Sequence, residues 1–289
     1  MRLYEKGALS LDDPMSKYLP EGLIRGIHVY KGKDYSQEIT IKQLLSHTSG
    51  IADYYTEKPK GGKSVFELLL EKPERTWRED ETVEWARDKL EPNFPPGTDA
   101  SYSDTNFDLL GKIIVTITGQ PLHTVYEDFI FRPLGLTRTW LIDSSATQIP
   151  ISTADVFYKN RNIANIRSNS AYWPYSVSTA EDMIIFLKAL NEGRIISRDT
   201  LNLMHSWNKL QFPLQYGYGT MYFKLPRLMS RAMHVPPLWG HSGSTGSFLY
   251  YSEDRNLYIA GSINQVDSKI KPFILIGKVM KAIQSKSGA

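Results

Sequence analysis

Two hydrophobic periods divide this chain, and the point where one gives way to the other limits the folds open to it. Up to about Leu210 the apolar residues recur at helical spacing. Residues 105–118 place Leu109, Leu110, Ile113, Ile114 and Ile117 on one face, and Leu122 begins a further helix over 122–130 that ends before Arg132-Pro133. Residues 39–45 read as a short helix capped by Thr40, and 64–70 and 80–90 carry the same spacing. Over 179–190 the signals agree: a Thr179 cap, Glu181-Asp182 in the first turn, a face of Met183, Ile184, Phe186 and Leu187, and Gly193 beyond the end. From Tyr216 onward the pattern is of strands, over 218–223, 246–251 and 257–264, with a hairpin turn at Ser252-Glu253-Asp254-Arg255-Asn256. A helix over 272–283 closes the chain. Late antiparallel strands with helices before and after predict an α+β fold. The expected organisation is one domain over 1–289, mainly helical over about 1–210, with sheet and closing helix over about 211–289.

Composition removes several functions. With 34 basic against 31 acidic residues the net charge is +3, too small to argue for nucleic acid as a partner. Cysteine is absent, which excludes disulfides, thiolate nucleophiles and Cys-based metal sites. The six histidines are scattered and form no His-Glu-x-x-His pair, so neither a metal nor any other cofactor is expected. No apolar run approaches the roughly 20 residues of a membrane helix, and the first residues lack the apolar core of a secretory signal. The chain as given is expected to stay in the cytoplasm.

Two short strings could carry chemistry. In Phe94-Pro95-Pro96-Gly97-Thr98-Asp99-Ala100-Ser101-Tyr102-Ser103-Asp104-Thr105-Asn106, a rigid turn delivers Tyr102 to the start of a long helix. There a phenol can point into a cleft or simply pack, as most of the 17 tyrosines must. In Trp239-Gly240-His241-Ser242-Gly243-Ser244-Thr245-Gly246-Ser247, glycines and small hydroxyls at the start of a strand let a ligand approach the backbone. The alternative is a glycine-rich loop with one incidental histidine. A nucleophile elbow fails here, because Ser244 stands where G-x-S-x-G needs its second glycine. No phosphate-cradling G-x-x-x-x-G-K is present.

Seven strings in order resemble the penicillin-recognising serine hydrolases, that is class C β-lactamases, D-alanyl-D-alanine carboxypeptidases and related esterases. They are Gly7-Ala8-Leu9-Ser10-Leu11-Asp12-Asp13-Pro14, Leu44-Leu45-Ser46-His47-Thr48-Ser49-Gly50-Ile51, Pro96-Gly97-Thr98 with Tyr102-Ser103, Leu109-Leu110-Gly111, Pro133-Leu134-Gly135-Leu136, Ser178-Thr179-Ala180-Glu181-Asp182-Met183 and Gly240-His241-Ser242-Gly243. The resemblance implies a β-lactamase/transpeptidase-like fold with a cleft between sheet and helical region. It also implies acyl transfer to water from a small ester, amide or peptide. By position Tyr102 would be the base or proton shuttle, and His241-Ser242-Gly243 the third motif beside the substrate. Ser244 would offer its N–H to the oxyanion hole.

The first motif of such families, S-x-x-K, supplies the acylated serine and a lysine, and the resemblance places it upstream of Met1. Ser206-Trp207-Asn208-Lys209 has the same form, but it lies far downstream in a region similar to a non-catalytic helix and loop, and reads as chance. Without that lysine, and with His241 in place of the third-motif lysine, Tyr102 lacks the cations that would lower a phenol from its ordinary value of about 10. Asp104 stands where relatives carry Asn, and a carboxylate cannot donate to a substrate carbonyl as an amide can. Asp104 would instead pair with a cation or disfavour anionic substrates. Trp173-Pro174 replaces a glycine pair and is expected to reshape the cleft. The expectation is therefore a serine hydrolase whose nucleophile lies outside the given chain, which is inactive as it stands. The rival is a non-catalytic homologue that binds peptide or peptidoglycan-like ligands. Without the family's N-terminal strands, the strand over 257–264 would form an unpaired edge, favouring low stability and self-association.

Overall fold

The computed structural model describes residues 1–75, 77–142, 153–163, 175–266 and 270–287. They form two compact units, one of Met1–Ser152 with Asn165–Val177, the other of Thr153–Ala164 with Ser178–Ala289. Trp173 and Pro174 lie outside the described residues.

The first unit is built from short helices around the Asp104–Thr118 helix. That helix buries Leu109 and Ile113 and ends at Gly119, whose φ of 64° closes it in the left-handed conformation that glycine adopts freely. At the start of the Ile41–Leu45 helix Thr40 gives its N–H to the Gln43 side chain at 2.9 Å. Ser64 does the same with Glu67 at the start of Val65–Glu71. Tyr54, Val65, Leu69 and Ala86 form a buried cluster flanked by Tyr55, Trp77 and Trp85. The predicted helix over 122–130 differs in its end. Leu122–Tyr126 passes through a wide turn, Glu127–Phe131, into Arg132–Leu134. Pro133 sits in that last segment and has no N–H to give to the preceding turn; the Phe129 carbonyl four residues back accepts from the Arg2 guanidinium instead.

The second unit holds a six-stranded antiparallel sheet. Its order runs Leu257–Ser262, Ser247–Ser252, Leu238–Ser242, Met221–Phe223, Leu214–Tyr216, Asn208–Gln211, each strand beside its neighbour in sequence. Such a meander needs no crossover, and only the connection from Met221–Phe223 to Leu238–Ser242 is longer than a short turn. The three predicted strands are present: 218–223 and 257–264 are shortened to Met221–Phe223 and Leu257–Ser262, and 246–251 is shifted by one residue to Ser247–Ser252. The hairpin of Asn208–Gln211 with Leu214–Tyr216 and the Arg227–Met233 helix were not foreseen. Phe223 and Tyr250 pack on Phe273 of the closing helix Lys271–Ser287, the Phe223 and Phe273 rings stacked at 3.9 Å. The Ala180–Asn191 helix is capped by Thr179 as expected, and its Asn191 amide donates to the Tyr258 hydroxyl at 2.7 Å. Leu257–Ser262 lies at the sheet edge, with one ladder neighbour among the described residues. No helix among them is long and apolar enough to cross a membrane.

Candidate functional site

Each unit carries one of the two strings singled out from sequence. In the first, Tyr102 lies half-buried just before the Asp104–Thr118 helix. The segment leading to it is stitched to residues 47–53. Asn93 N–H donates to the Gly50 carbonyl at 2.8 Å, Gly97 N–H to Thr48 at 2.7 Å and Ser101 N–H to His47 at 3.0 Å. The Ser103 and Thr105 hydroxyls both donate to the Ala52 carbonyl, at 3.2 and 2.7 Å. Gly50 makes the close approach possible. A Cβ there would stand 2.0 Å from the Phe94 carbonyl oxygen and 2.7 Å from His28 Nε2, and its φ of +76° favours glycine. The string Leu44-Leu45-Ser46-His47-Thr48-Ser49-Gly50-Ile51 had no role assigned from sequence; it is the bed on which the Tyr102 segment lies.

The His47 ring lies 4.3 Å from the Tyr102 ring at 36°. On the helix side Tyr102 shares a hydrogen bond with Asp104. Asp104 N–H donates to Asp53 Oδ1 at 3.0 Å, so two carboxyls meet at the helix start. Burial, then the Asp53 carboxyl, pushes Asp104 well above the usual carboxylate range, with the Tyr102 hydrogen bond acting the other way. Burial raises Asp53 as well. Asp53 also receives the N–H groups of Tyr55 and Thr56 and the Thr56 hydroxyl, donors that stabilise its anion. Of the two, Asp104 is therefore the carboxyl raised further above the usual range. The charges that act on Asp104 are the carboxyls of Asp53 and Asp108. A protonated carboxyl also donates, as the amide of Asn would.

In the second unit His241 sits near the end of Leu238–Ser242, so the glycine-rich string spans a strand end and the following turn rather than a strand start. His241 Nδ1 faces the Ser242 carbonyl at 2.9 Å and Nε2 faces the Tyr216 hydroxyl at 2.9 Å. A carbonyl only accepts, so the proton is on Nδ1 and the Tyr216 O–H donates to Nε2. Burial lowers His241 to about 4, which leaves it neutral at pH 7, as read from sequence. The Ser242 hydroxyl is bonded to the Tyr250 hydroxyl at 2.7 Å. Burial pushes that fully buried phenol up. Gly243 and Ser244 are exposed in a tight turn closed by Gly246 N–H donating to the Gly243 carbonyl at 3.0 Å. A Cβ on Gly243 would stand 2.2 Å from Ser247 Oγ.

Ser206 belongs to no helix that presents it with Lys209. Its hydroxyl donates to the Leu203 carbonyl at 2.8 Å at the end of Arg198–Met204, and Asn208 and Lys209 begin a strand. The sequence holds one more S-x-x-K string, Ser268-Lys269-Ile270-Lys271, whose Ser268 and Lys269 lie outside the described residues. No group of three or more His, Asp or Glu side chains is placed to hold a metal among the described residues.

Comparison with known proteins gives one consistent answer. The family model described as Beta-lactamase matches residues 1–272. The D-alanyl-D-alanine-carboxypeptidase/endopeptidase AmpH of Escherichia coli (strain K12) is 28% identical over 190 residues, covering 65% of this chain and 44% of that protein. The N-acetylmuramyl-L-alanine amidase of Bacillus subtilis (strain 168) is 31% identical, covering 90% of this chain and 63% of that one. The chain thus spans from under half to under two thirds of the length of these relatives. Among solved structures, the D-stereospecific amidohydrolase from Streptomyces sp. superposes with a TM-score of 0.79 at 30% identity, covering 95% of this chain and 80% of that one. The penicillin binding protein from Bacillus halodurans, at 19% identity and a TM-score of 0.70, shares the fold.

Proposed function

This chain belongs to the beta-lactamase family, and from that premise we propose that it works as a serine hydrolase on a small ester, amide or peptide, through an acyl-enzyme. Tyr102 serves as base or proton shuttle: it takes the proton of the attacking serine as the C–O bond forms and returns it to the leaving group. The observation that carries this reading is the placement of Tyr102, fixed through its neighbours' amides at a loop-to-helix junction and bonded to Asp104. Asp104, holding a proton, donates where relatives use an amide. His241, Ser242, Gly243 and Ser244 take the part of the third motif, with the Ser244 N–H as an oxyanion donor.

A neutral His241 offers no cation to a substrate carboxylate. The preferred acyl donors are therefore uncharged at that end, amides and esters rather than free peptide termini. Relatives named for carboxypeptidase and for amidohydrolase activity are both similar to this chain, and the neutral histidine favours the second chemistry. Neither S-x-x-K string is assigned the nucleophile's role. Residues 1–289 alone are accordingly expected to form no acyl adduct.

A chromogenic short-chain ester and an amino-acid anilide test this, assayed on the 289-residue chain and on a form extended to include an S-x-x-K segment. The extended form should turn over, and Tyr102→Phe should lower its kcat by roughly 100-fold or more. No turnover by that form would sink the reading and favour a ligand-binding homologue. Serine-dependent turnover by residues 1–289 would overturn the assignment of the nucleophile.

A further inference from the structure

We infer that His47 is the positioning residue for Tyr102, gripping the amides on both sides of it and bracing its ring. Ser101 N–H donates to the His47 carbonyl at 3.0 Å, and Ser103 N–H donates to the His47 ring at Nδ1, at 3.1 Å. Ser103 is extended, with φ −148° and ψ 116°, and amides two apart along an extended chain face the same side. One residue therefore satisfies both. Between those two anchors, the Tyr102 ring rests 4.3 Å from the imidazole.

The tautomer follows from the partners. A backbone N–H can only donate, so Nδ1 carries no proton and the neutral ring holds its hydrogen on Nε2. A second donor points the same way. The Ser49 hydroxyl donates to Asn106 Oδ1 at 2.7 Å, itself receiving the Ile51 N–H at 3.1 Å. That fixes the Asn106 carboxamide with its NH₂ toward His47 Nδ1, at 3.3 Å. His47, Ser49 and Asn106 are all fully buried. His47 also holds φ at +57°, a left-handed conformation that costs a side-chain-bearing residue on the order of 1 kcal/mol and that His and Asn accept more readily than most. A histidine that only filled space would need neither the strained backbone nor the two amide contacts.

Tyr102's role as proton shuttle rests on the reading above; its placement by His47 does not. The test uses the 289-residue chain and nitrogen and amide NMR, so it needs no turnover. In the unmodified protein the His47 ring should show an unprotonated Nδ1 and a protonated Nε2; the opposite pattern overturns the inference without any variant. His47→Phe keeps a ring and removes the acceptor, and should speed amide exchange at Ser103 by roughly tenfold, the loss of one hydrogen bond. It should also move the Tyr102 ring resonances, assigned by comparison with Tyr102→Phe, while Ile113 within the helix keeps its protection. His47→Asn places an amide oxygen near Nδ1 and tolerates the same φ, so it should restore slow exchange at Ser103. Unchanged Ser103 exchange in His47→Phe, or equal loss at Ser103 and Ile113, would show His47 to be a core residue and no more. A correct tautomer and exchange pattern with no hydrolysis by the extended form would retain His47's placement role and sink only the hydrolase reading.

Discussion

Asp104 shows how a single side chain can carry a meaning that its residue type conceals. Read as a carboxylate it breaks the family pattern; beside Asp53 burial and a second carboxyl push it well above the usual carboxylate range, and the donor role proposed for it rests on that shift. Its raised value has a sign. A carboxyl that holds its proton longer when folded contributes stability in acid and takes it away as pH rises above about 4, the unfolded value. Asp104→Asn should therefore raise the melting temperature at pH 7.5 by more than at pH 4; equal gains at both would refute the buried proton. The histidines act in the other direction. Burial lowers His205 and His241 to about 4. The stability they support is complete above about 6.5 and is lost as pH falls toward 4. Urea midpoints at pH 7.5 and 5 should differ less in His241→Gln than in the unmodified protein. Tyr102, Asp104, His241 and Ser242 could be named in advance because they lie inside short strings with unusual neighbours. Asp53 and Tyr216 could not. Asp53 is 51 residues before Asp104, and Tyr216 is one of 17 tyrosines, so only folding pairs them with Asp104 and His241.

At the level of elements, local chemistry located most helices and tertiary packing corrected their edges. The start signals at Thr40 and Thr179 lie within one turn of the helices they open, which is why they could be read directly, whereas Ser64, read only as the first residue of a helical run, proves to be the cap of Val65–Glu71. Ser64→Ala should cost about 1 kcal/mol in unfolding free energy, the usual loss of such a cap; no change in the urea midpoint would remove Ser64 from that role. The hairpin of Asn208–Gln211 and Leu214–Tyr216 was missed for the opposite reason. Its strands are four and three residues long and alternate poorly, and pairing with Met221–Phe223 is what makes Leu214–Tyr216 a strand. Gly240 belongs to this class too. Within Leu238–Ser242 it stands opposite Tyr250, and a Cβ there would lie 2.0 Å from the Leu249 carbonyl oxygen. Gly240→Ala should part the two strands and destabilise the sheet by several kcal/mol, because the clash is with backbone that cannot turn aside; a melting temperature within a degree or two of the unmodified protein would contradict that packing.

For the whole molecule, the near-balance of charge gives little long-range repulsion, and Leu257–Ser262 presents a sheet edge among the described residues. Sedimentation velocity over rising protein concentration should show association; a single monomeric species throughout would show the edge to be protected. Sequence alone determined the α+β class, the family and the order of its strings, because these depend on residue spacing along the chain and on turn and cap residues that act within a few positions. The tertiary structure alone decided what those strings do to one another. It laid the 44–51 string beneath Tyr102, set a second carboxyl beside Asp104, and turned the lone pair of His241 toward Tyr216. Protonation states and hydrogen-bond partners depend on burial and on neighbours distant in sequence, and neither exists until the chain has folded.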